Sequence, residues 1–329
     1  MDYVETRVKG KTFRMPSVRI AGRAVMKRGR WIKMAAVRDE ELVEGTIVEN
    51  PESFISQLKY SGLRADILTF SQPFDEQVPR HPYFFEWDNV AVASTDSFTG
   101  WWEKLPQETR KNVRRASKRG VSVRVVQFDD KFVQSIKDIY DESPVRQGTR
   151  FWHYGKNLAT VKMENETYLE RGEFIGAYHN HELIGFIRFV YVDRAAIIMQ
   201  ILSKISHYDK RPMNALIAKA VEVCSEKRIS HLVYSKMVFG NKKTSQLTEF
   251  KRRNGFEKMC FPRYYVPLTT KGRIALALGL HRGALGVLPC WLINLLLSLR
   301  SAGLNLLANS IARRKAQISL ERVENSIGR

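Results

Sequence analysis

The chain reads as a mixed α/β (α+β) protein, a mixed sheet flanked by helices, followed by a C-terminal amphipathic helical tail. Three observations carry that reading. Short apolar runs (66–70, 84–92, 121–126, 174–178, 183–191 and 194–202) recur between segments of helical period. A strand, a basic loop, an amphipathic helix and a second strand follow one another between Arg194 and Ser235. With 329 residues, 44% of them hydrophobic, the chain can bury the core of two compact domains or one enlarged one.

Taken in order, residues 12–50 read as short strands and turns. Val18-Arg19-Ile20 and Arg30-Trp31-Ile32-Lys33-Met34 are candidate strands, and Asp39-Glu40-Glu41 is a loop. Asn50-Pro51-Glu52-Ser53 opens a helix carried by Phe54 to Tyr60. Asp66 to Phe70 is a buried strand, Pro73, Pro79 and Pro82 mark an irregular loop, and Phe84 to Val92 returns to strand. This N-terminal α/β half spans residues 1–100. Residues 101–120 follow as a basic connecting helix. Arg110, Arg114 and Lys118 stand at i, i+4, i+8, and Lys111, Arg115 and Arg119 repeat the row one residue on, while Val113 and Ala116 face the core. Like charges at this spacing repel, so a bound anion would relieve them; a solvated face is the alternative.

Residues 121–270 form the next unit. Val121 to Val126 alternates as a strand and Asp129 to Tyr140 is a helix. Glu142-Ser143-Pro144-Val145-Arg146-Gln147-Gly148 and Phe151-Trp152-His153-Tyr154-Gly155-Lys156 then make the densest polar and aromatic cluster in the chain. Aromatic side chains hold ligands and Arg or Gln orients them, so this is the candidate acceptor loop, with Gln147, Trp152 and Lys156 as substrate contacts. His153, Tyr154, Glu142 and Arg146 are its candidate catalytic groups. A packed Ω-loop is the alternative. The strands 174–178 and 183–191 make an antiparallel meander, and His179 and His181 at its turn have no third ligand at metal spacing, so no metal is expected.

The loop Ser206-His207-Tyr208-Asp209-Lys210-Arg211 leads to Pro212, a residue suited to a helix's first turn, and Met213, Leu216, Ile217, Ala220 and Cys224 recur at helical spacing. The free N–H groups and positive dipole end of that helix, beside Lys210 and Arg211, suit a phosphate or pyrophosphate. Asp209 reads as the helix cap, with proton handling as the alternative. No Gly-x-Ser-x-Gly elbow, Gly-x-Gly-x-x-Gly or Walker loop is present. Direct attack of an amine on a bound ester or thioester needs none of these; it needs alignment and polarisation of the carbonyl.

This order of parts, with His207 to Asn214 as the donor loop and Phe250-Lys251-Arg252-Arg253-Asn254-Gly255-Phe256 ending in the "x-G-F" turn, resembles the acyl-donor core of the GNAT acyltransferase superfamily. The usual glycines of the donor loop are absent here, and Phe250 stands nearest the place of the general-acid Tyr. Leu247-Thr248-Glu249-Phe250-Lys251 resembles the Fem-type (FemAB-like) branch, whose members look like two GNAT units in tandem and use aminoacyl-tRNA. The resemblance covers roughly residues 100–270. It implies a GNAT-type N-acyltransferase, with acetyl-CoA or another acyl-CoA as donor on Tyr208, Asp209, Lys210, Arg211, Asn214 and Asn241. It implies an amine acceptor on a phosphorylated or lipid-linked cell-envelope precursor, gripped by Arg110, Arg114, Arg115 and Lys118. A Fem-type enzyme using aminoacyl-tRNA is the runner-up, and a non-catalytic nucleic-acid or membrane-binding protein the third reading.

The net charge of +20 calls for a polyanionic partner: tRNA, an anionic membrane surface or a phosphate-rich substrate. Three widely spaced cysteines, Cys224, Cys260 and Cys290, give no disulfide framework and fit a cytoplasmic setting. Residues 271–329 read as an amphipathic membrane-associating tail: 17 uncharged residues lie between Arg282 and Arg300, short for a span, and Arg313-Arg314-Lys315 adds cations. A protein peripheral on the inner face of the cytoplasmic membrane is the resulting expectation.

Overall fold

The computed structural model describes residues 2–8, 11–38, 48–239 and 245–283, so Asn241 and the tail beyond Gly283 lie outside the described residues. The first strands are β1 (Asp2–Val8), β2 (Lys11–Ile20), β3 (Arg23–Arg28) and β4 (Met34–Val37), followed by α1 (Pro51–Tyr60) and β5 (Ile67–Ser71). Next come β6 (Phe85–Ser94), α2 (Phe98–Lys104), α3 (Gln107–Lys118), β7 (Ser122–Val126), α4 (Asp130–Tyr140) and the small hairpin β8 (Val145–Arg146) and β9 (Thr149–Arg150). The rest is α5 (Leu158–Asn165), β10 (Gly172–His179), β11 (Glu182–Val192), β12 (Ala195–Ser203), α6 (Pro212–Glu226), β13 (His231–Val233), α7 (Gln246–Arg253), β14 (Glu257–Pro267) and α8 (Thr270–Ala277).

Two expectations are corrected. The run Arg30 to Lys33 is a turn, and the strand begins at Met34. Gly29 has φ +94, and a Cβ there would sit 2.0 Å from the Ile32 carbonyl oxygen, so only glycine closes this turn. The basic segment 101–120 is two helices instead of one. Leu105 precedes Pro106 and takes an extended conformation (φ −67, ψ 143), which stops α2 before α3 begins.

All strands except β8 and β9 form one 12-stranded sheet, in the order β1-β2-β3-β4-β5-β14-β6-β13-β12-β11-β10-β7. That order contains a repeat. β1 to β4 are antiparallel and β5 joins β4 in parallel. β7, β10, β11 and β12 are likewise antiparallel and β13 joins β12 in parallel. Each repeat places one helix, α1 or α6, between its parallel strands. The closing strands are exchanged: β6 of the first repeat pairs with β13 of the second, β14 of the second pairs with β5 of the first, and β6 and β14 pair with each other at the centre. The exchange joins the two repeats through a continuous ladder. The first repeat lacks the helices that the second inserts between β7 and β10.

The second repeat has a different core on each face. On one face α6 buries Leu216, Ile217, Ala220 and Cys224 against Ile175, Ile187 and Ile198, and Ala116 and Val113 of α3 join that cluster. On the other face α4 buries Phe132, Ile136 and Tyr140 against Phe174 and Phe186, with Phe151 packed against them. The basic helix α3 and the loop 141–157 therefore lie on opposite faces of the sheet.

Candidate active site

The parallel pair β12–β13 opens in the middle of the second repeat. Their register ends at Ile197 opposite Val233, while β12 runs on to Ser203. The chain after Val233 instead follows β6, with Tyr234 N donating to Ala91 O at 2.8 Å and Ala91 N to Ser235 O at 2.8 Å. The strands part, and the gap is lined by backbone of β12 on one side. On the other side stands Lys251 of α7, fully buried, with Nζ donating to the carbonyls of Tyr234 (2.6 Å) and Lys236 (2.8 Å) and lying 4.2 Å from the Tyr234 ring centroid. A buried ammonium is tolerable only when such acceptors hold it.

From Ser203 the chain enters two turns of 3₁₀-helix (205–210) and then α6. Helices α1, α2, α4, α5, α7 and α8 each begin on a capping side chain: Asn50, Ser97, Asp129, Asn157, Ser245 and Thr269. α6 and α3 do not. The cap residue of α6 is Arg211 in the left-handed region (φ 60, ψ 38), and that of α3 is Pro106. Both uncapped ends open on one cleft of about 680 Å³, lined by Glu108, Thr109 and Asn112 of α3, Arg211 and Asn214 at the start of α6, and Ser245, Glu249, Phe250 and Arg253 of α7, with Glu249 held by Arg252 and Arg253. Orphan N–H groups and aligned helix dipoles at one place favour an anion. Asn214 Nδ2 donates to Asn254 Oδ1 at 2.9 Å and so ties α6 to α7 across the floor.

Asp209 is not the cap the sequence predicts. Its Oδ2 accepts from Arg119 Nη1 at 3.1 Å, and its backbone carbonyl accepts from the same guanidinium, so it anchors the end of α3 to the donor loop. Lys210 Nζ lies 3.7 Å from Asp209 Oδ1, and Tyr208 is exposed.

The acceptor-loop residues do converge, and their contacts run inward. Arg146 is buried; Nη1 donates to Ser203 O at 2.6 Å and Nη2 to Ile139 O at 2.7 Å and Glu142 Oε2 at 3.2 Å. Burial pulls its guanidinium below the ordinary value. Glu142 accepts from the backbone N–H of Ile205 (2.5 Å) and Ser206 (2.9 Å) and from the Ser206 hydroxyl (2.7 Å). Burial alone would raise its carboxyl, but those N–H and O–H donors and Arg146 outweigh it and hold it below the usual carboxylate range. Glu142 and Arg146 thus join α4 to the turn that begins at Ile205. His153 is buried, its ring 3.6 Å from that of Trp152 and 4.3 Å from that of Tyr140. Its ring nitrogens lie 3.3 Å from Lys156 Nζ and 3.2 Å from Gln200 Nε2. Burial, then Lys156 and Arg146, lower its pKa to about 3, so it is neutral at pH 7. Lys156 also bonds Glu164 at 2.5 Å and stands 4.1 Å over the half-exposed Trp152 ring. Tyr154 is half-buried on the same loop, and Gln147 sits at the hairpin turn with φ 50, exposed.

Arg110, Arg114, Arg115 and Lys118 belong to α3, which packs on the α6 face of the sheet, opposite the loop 141–157. Arg114 lies 5.6 Å from the Trp102 ring, and Arg115 donates to Asn112 at 3.0 Å.

No protein-family model matches the chain, and no curated protein does. Among solved structures, FemX superposes with a TM-score of 0.52 over 84% of this chain and 90% of its own, at 10% identity. L-PGS from Bacillus licheniformis superposes with a TM-score of 0.50 over 80% of this chain and 87% of its own, at 15% identity. A conserved protein of unknown function from Bacteroides thetaiotaomicron VPI-5482 gives 0.50 over 77% and 85%, at 10% identity. The chain has the same fold as FemX and L-PGS.

Lys251 and Asn254 are two further candidate residues that the sequence does not single out. Lys251 stands in a basic run, Lys251-Arg252-Arg253, whose members differ only in helical phase: Lys251 and Asn254 are buried, while Arg252 and Arg253 are exposed and grip Glu249, bringing its pKa to about 2. The phase relative to Leu247 and Phe250 is the signal that separates them. Among the described residues no cluster of His, Cys, Asp and Glu could hold a metal.

Proposed function

We propose that this protein is an acyltransferase that moves an acyl group from a phosphate-bearing carrier to an amine. The observation that carries the reading is the convergence of the uncapped α3 and α6 on one cleft beside the parted β12 and β13. The carrier's phosphates sit at those helix ends, and its acyl group passes through the gap to the opposite face, where the loop 141–157 receives the acceptor. The amine nitrogen attacks the acyl carbon, the bond from that carbon to the carrier breaks, and the amine proton leaves with the carrier or through Tyr154 and water. His153, neutral under Trp152, shapes the acceptor wall with Gln147 and Lys156.

Two carriers fit that chemistry, acyl-CoA and an aminoacyl-tRNA, and one observation favours the second. Four N–H groups of the donor turn are spent internally: Ile205 and Ser206 on Glu142, His207 on Lys204 O and Arg211 on Tyr208 O. The turn is therefore no open cradle for a pyrophosphate. Meanwhile Arg110, Lys111, Arg114 and Lys118 extend positive charge along α3 beyond the cleft, as a longer phosphate backbone requires. The acceptor we propose is an amine on a lipid-linked or phosphorylated envelope precursor, met at the inner face of the cytoplasmic membrane. No helix among the described residues is long and apolar enough to cross a membrane.

Calorimetric titration of the full chain with acetyl-CoA, charged tRNA and uncharged tRNA tests the reading. Preference for charged tRNA that persists at raised salt supports it. Tight one-to-one binding of acetyl-CoA, lost in the Arg211→Ala variant, moves the donor to acyl-CoA; binding of neither ends the acyltransferase reading.

A further inference from the structure

The first repeat carries, far from the acyl-transfer cleft, a surface that the reaction does not use. The turn closed by Gly29 holds Trp31 with 82% of its surface exposed. Lys271 of α8 donates through Nζ to the Trp31 carbonyl, so the turn and the helix abut. Along α8, Ile274 and Leu278 follow Lys271 at i+3 and i+7 on one side of the helix, 56% and 64% exposed, and Leu280 continues the apolar surface beyond it. Single exposed apolar residues are ordinary; a Trp, two aliphatic residues on one helix side and a further Leu in a row are a patch.

Beside the patch, between the end of α1, the start of β5 and α8, lies a cleft of about 380 Å³ lined by Lys33, Lys59, Arg64 and Lys271. Its one acidic member, Asp66, is already satisfied. Burial would raise its carboxyl, but the Lys33 N–H at 2.8 Å, Thr269 Oγ1 at 3.1 Å and Lys271 at 3.6 Å lower it. The cleft therefore keeps a surplus of positive charge next to exposed indole and aliphatic side chains. The chain leaves the patch at Gly283, where the uncharged run 283–299 begins.

We propose that the 29–33 turn and α8 form the docking surface of this protein for an anionic bilayer, with Trp31, Ile274 and Leu278 entering the interface and a lipid phosphate seated among Lys33, Lys59, Arg64 and Lys271. The proposal deepens the peripheral-membrane part of the function above and rests on it. Apolar side chains that enter a headgroup layer and cations that meet its phosphates are the two contributions such binding needs. The bilayer is chosen over a protein partner because both are present side by side and because the chain runs from this patch straight into a 17-residue uncharged stretch.

The test is flotation of the full chain with phosphatidylcholine vesicles, with and without phosphatidylglycerol. Wild type floats with the anionic vesicles, and quenching by brominated lipid is smaller in W31F, by the share that Trp31 contributes. I274S/L278S and K59Q/R64Q/K271Q each weaken association about tenfold, the second set only on anionic vesicles. All variants keep wild-type turnover of a soluble amine acceptor. If wild type floats and the variants float equally, the surface is wrong although the membrane reading stands. If wild type does not float, both fall. A concentration-dependent dimer in lipid-free solution that I274S/L278S abolishes assigns the patch to a second copy and overturns the proposal.

Discussion

Replacing Arg146 with methionine removes three hydrogen bonds from the junction of α4, β12 and the donor turn. The carbonyls of Ser203 and Ile139, which accept at 2.6 and 2.7 Å, lose their guanidinium partner in a buried place. Each orphaned acceptor costs about 1–3 kcal/mol. Glu142 loses its counter-ion, yet it keeps Ile205 N, Ser206 N and the Ser206 hydroxyl and is partly open to solvent, so this contribution is small. Methionine retains apolar contact with the Phe151 ring, which Arg146 covers at 4.7 Å. The sum is about 3–5 kcal/mol, the range for breaking a buried charged pair from one side. Glu142→Gln should cost about 1–2 kcal/mol, because its amide must turn an N–H toward a donor. The double variant should cost less than the sum, since both act on one network. Urea unfolding followed by tryptophan fluorescence at neutral pH reads all three. If the two acceptors are as dependent as their geometry states, Arg146→Met also raises KM for the donor more than it lowers kcat, because the loosened part is the turn that leads to α6. A cost below about 1 kcal/mol for Arg146→Met, or full additivity in the double variant, refutes the reasoning.

His153 gives the chain an acid-sensitive contribution. Below about pH 6.5 the unfolded chain binds a proton that the native site, with pKa about 3, refuses, so stability falls as pH drops through that window. At pH 5 the loss is about 2 kcal/mol relative to pH 8, and His153→Gln should flatten that part of the urea-midpoint profile. Lys251→Met leaves the carbonyls of Tyr234 and Lys236 without their ammonium and should lower stability by about 2–4 kcal/mol while weakening donor binding in calorimetry. Gly255→Ala puts a Cβ 2.6 Å from Trp101 Nε1 at a residue with φ +80. It should break the Trp101–Asn254 hydrogen bond and lower the melting temperature by several degrees, with a change in tryptophan fluorescence.

The second repeat was legible in the sequence because its elements obey single, uncrossed rules. The meander 172–203 alternates or runs apolar, α4 starts on Asp129, and α6 carries its apolar residues at helical spacing behind Pro212. The first repeat was less so. β1 and β2 are hairpin strands whose apolar residues are interrupted by charged and polar ones, and Trp31-Ile32 looks like strand but belongs to a turn that Gly29 imposes. The site residues were legible by type and not by direction. Glu142, Arg146 and His153 stand out as a polar and aromatic cluster, but only the fold shows that their polar atoms point at backbone and at one another. The basic row 110–119 has the spacing of an anion-binding face, and nothing local tells which face of the sheet it will cover. That depends on the chain crossing from β6 through α2 and α3 before β7, a long-range fact.

The strand exchange bears on how many donors one chain can hold. By position in the repeat, α1 stands where α6 stands, and both have proline in the first turn. In α6 the first turn is open: Arg211 offers no side-chain acceptor. In α1 it is closed, with Asn50 Oδ1 accepting from Ser53 N at 3.1 Å, and the hollow beside it is only about 220 Å³. In the first repeat the parallel pair β4–β5 runs from Met34 opposite Ile67 to Ala36 opposite Thr69, and β5 continues to Ser71 along β14. The closed helix end is what sets the first repeat apart from the second. Under the proposed function the first repeat is therefore the half that braces the second through β14 and carries the docking surface, and one donor binds per chain.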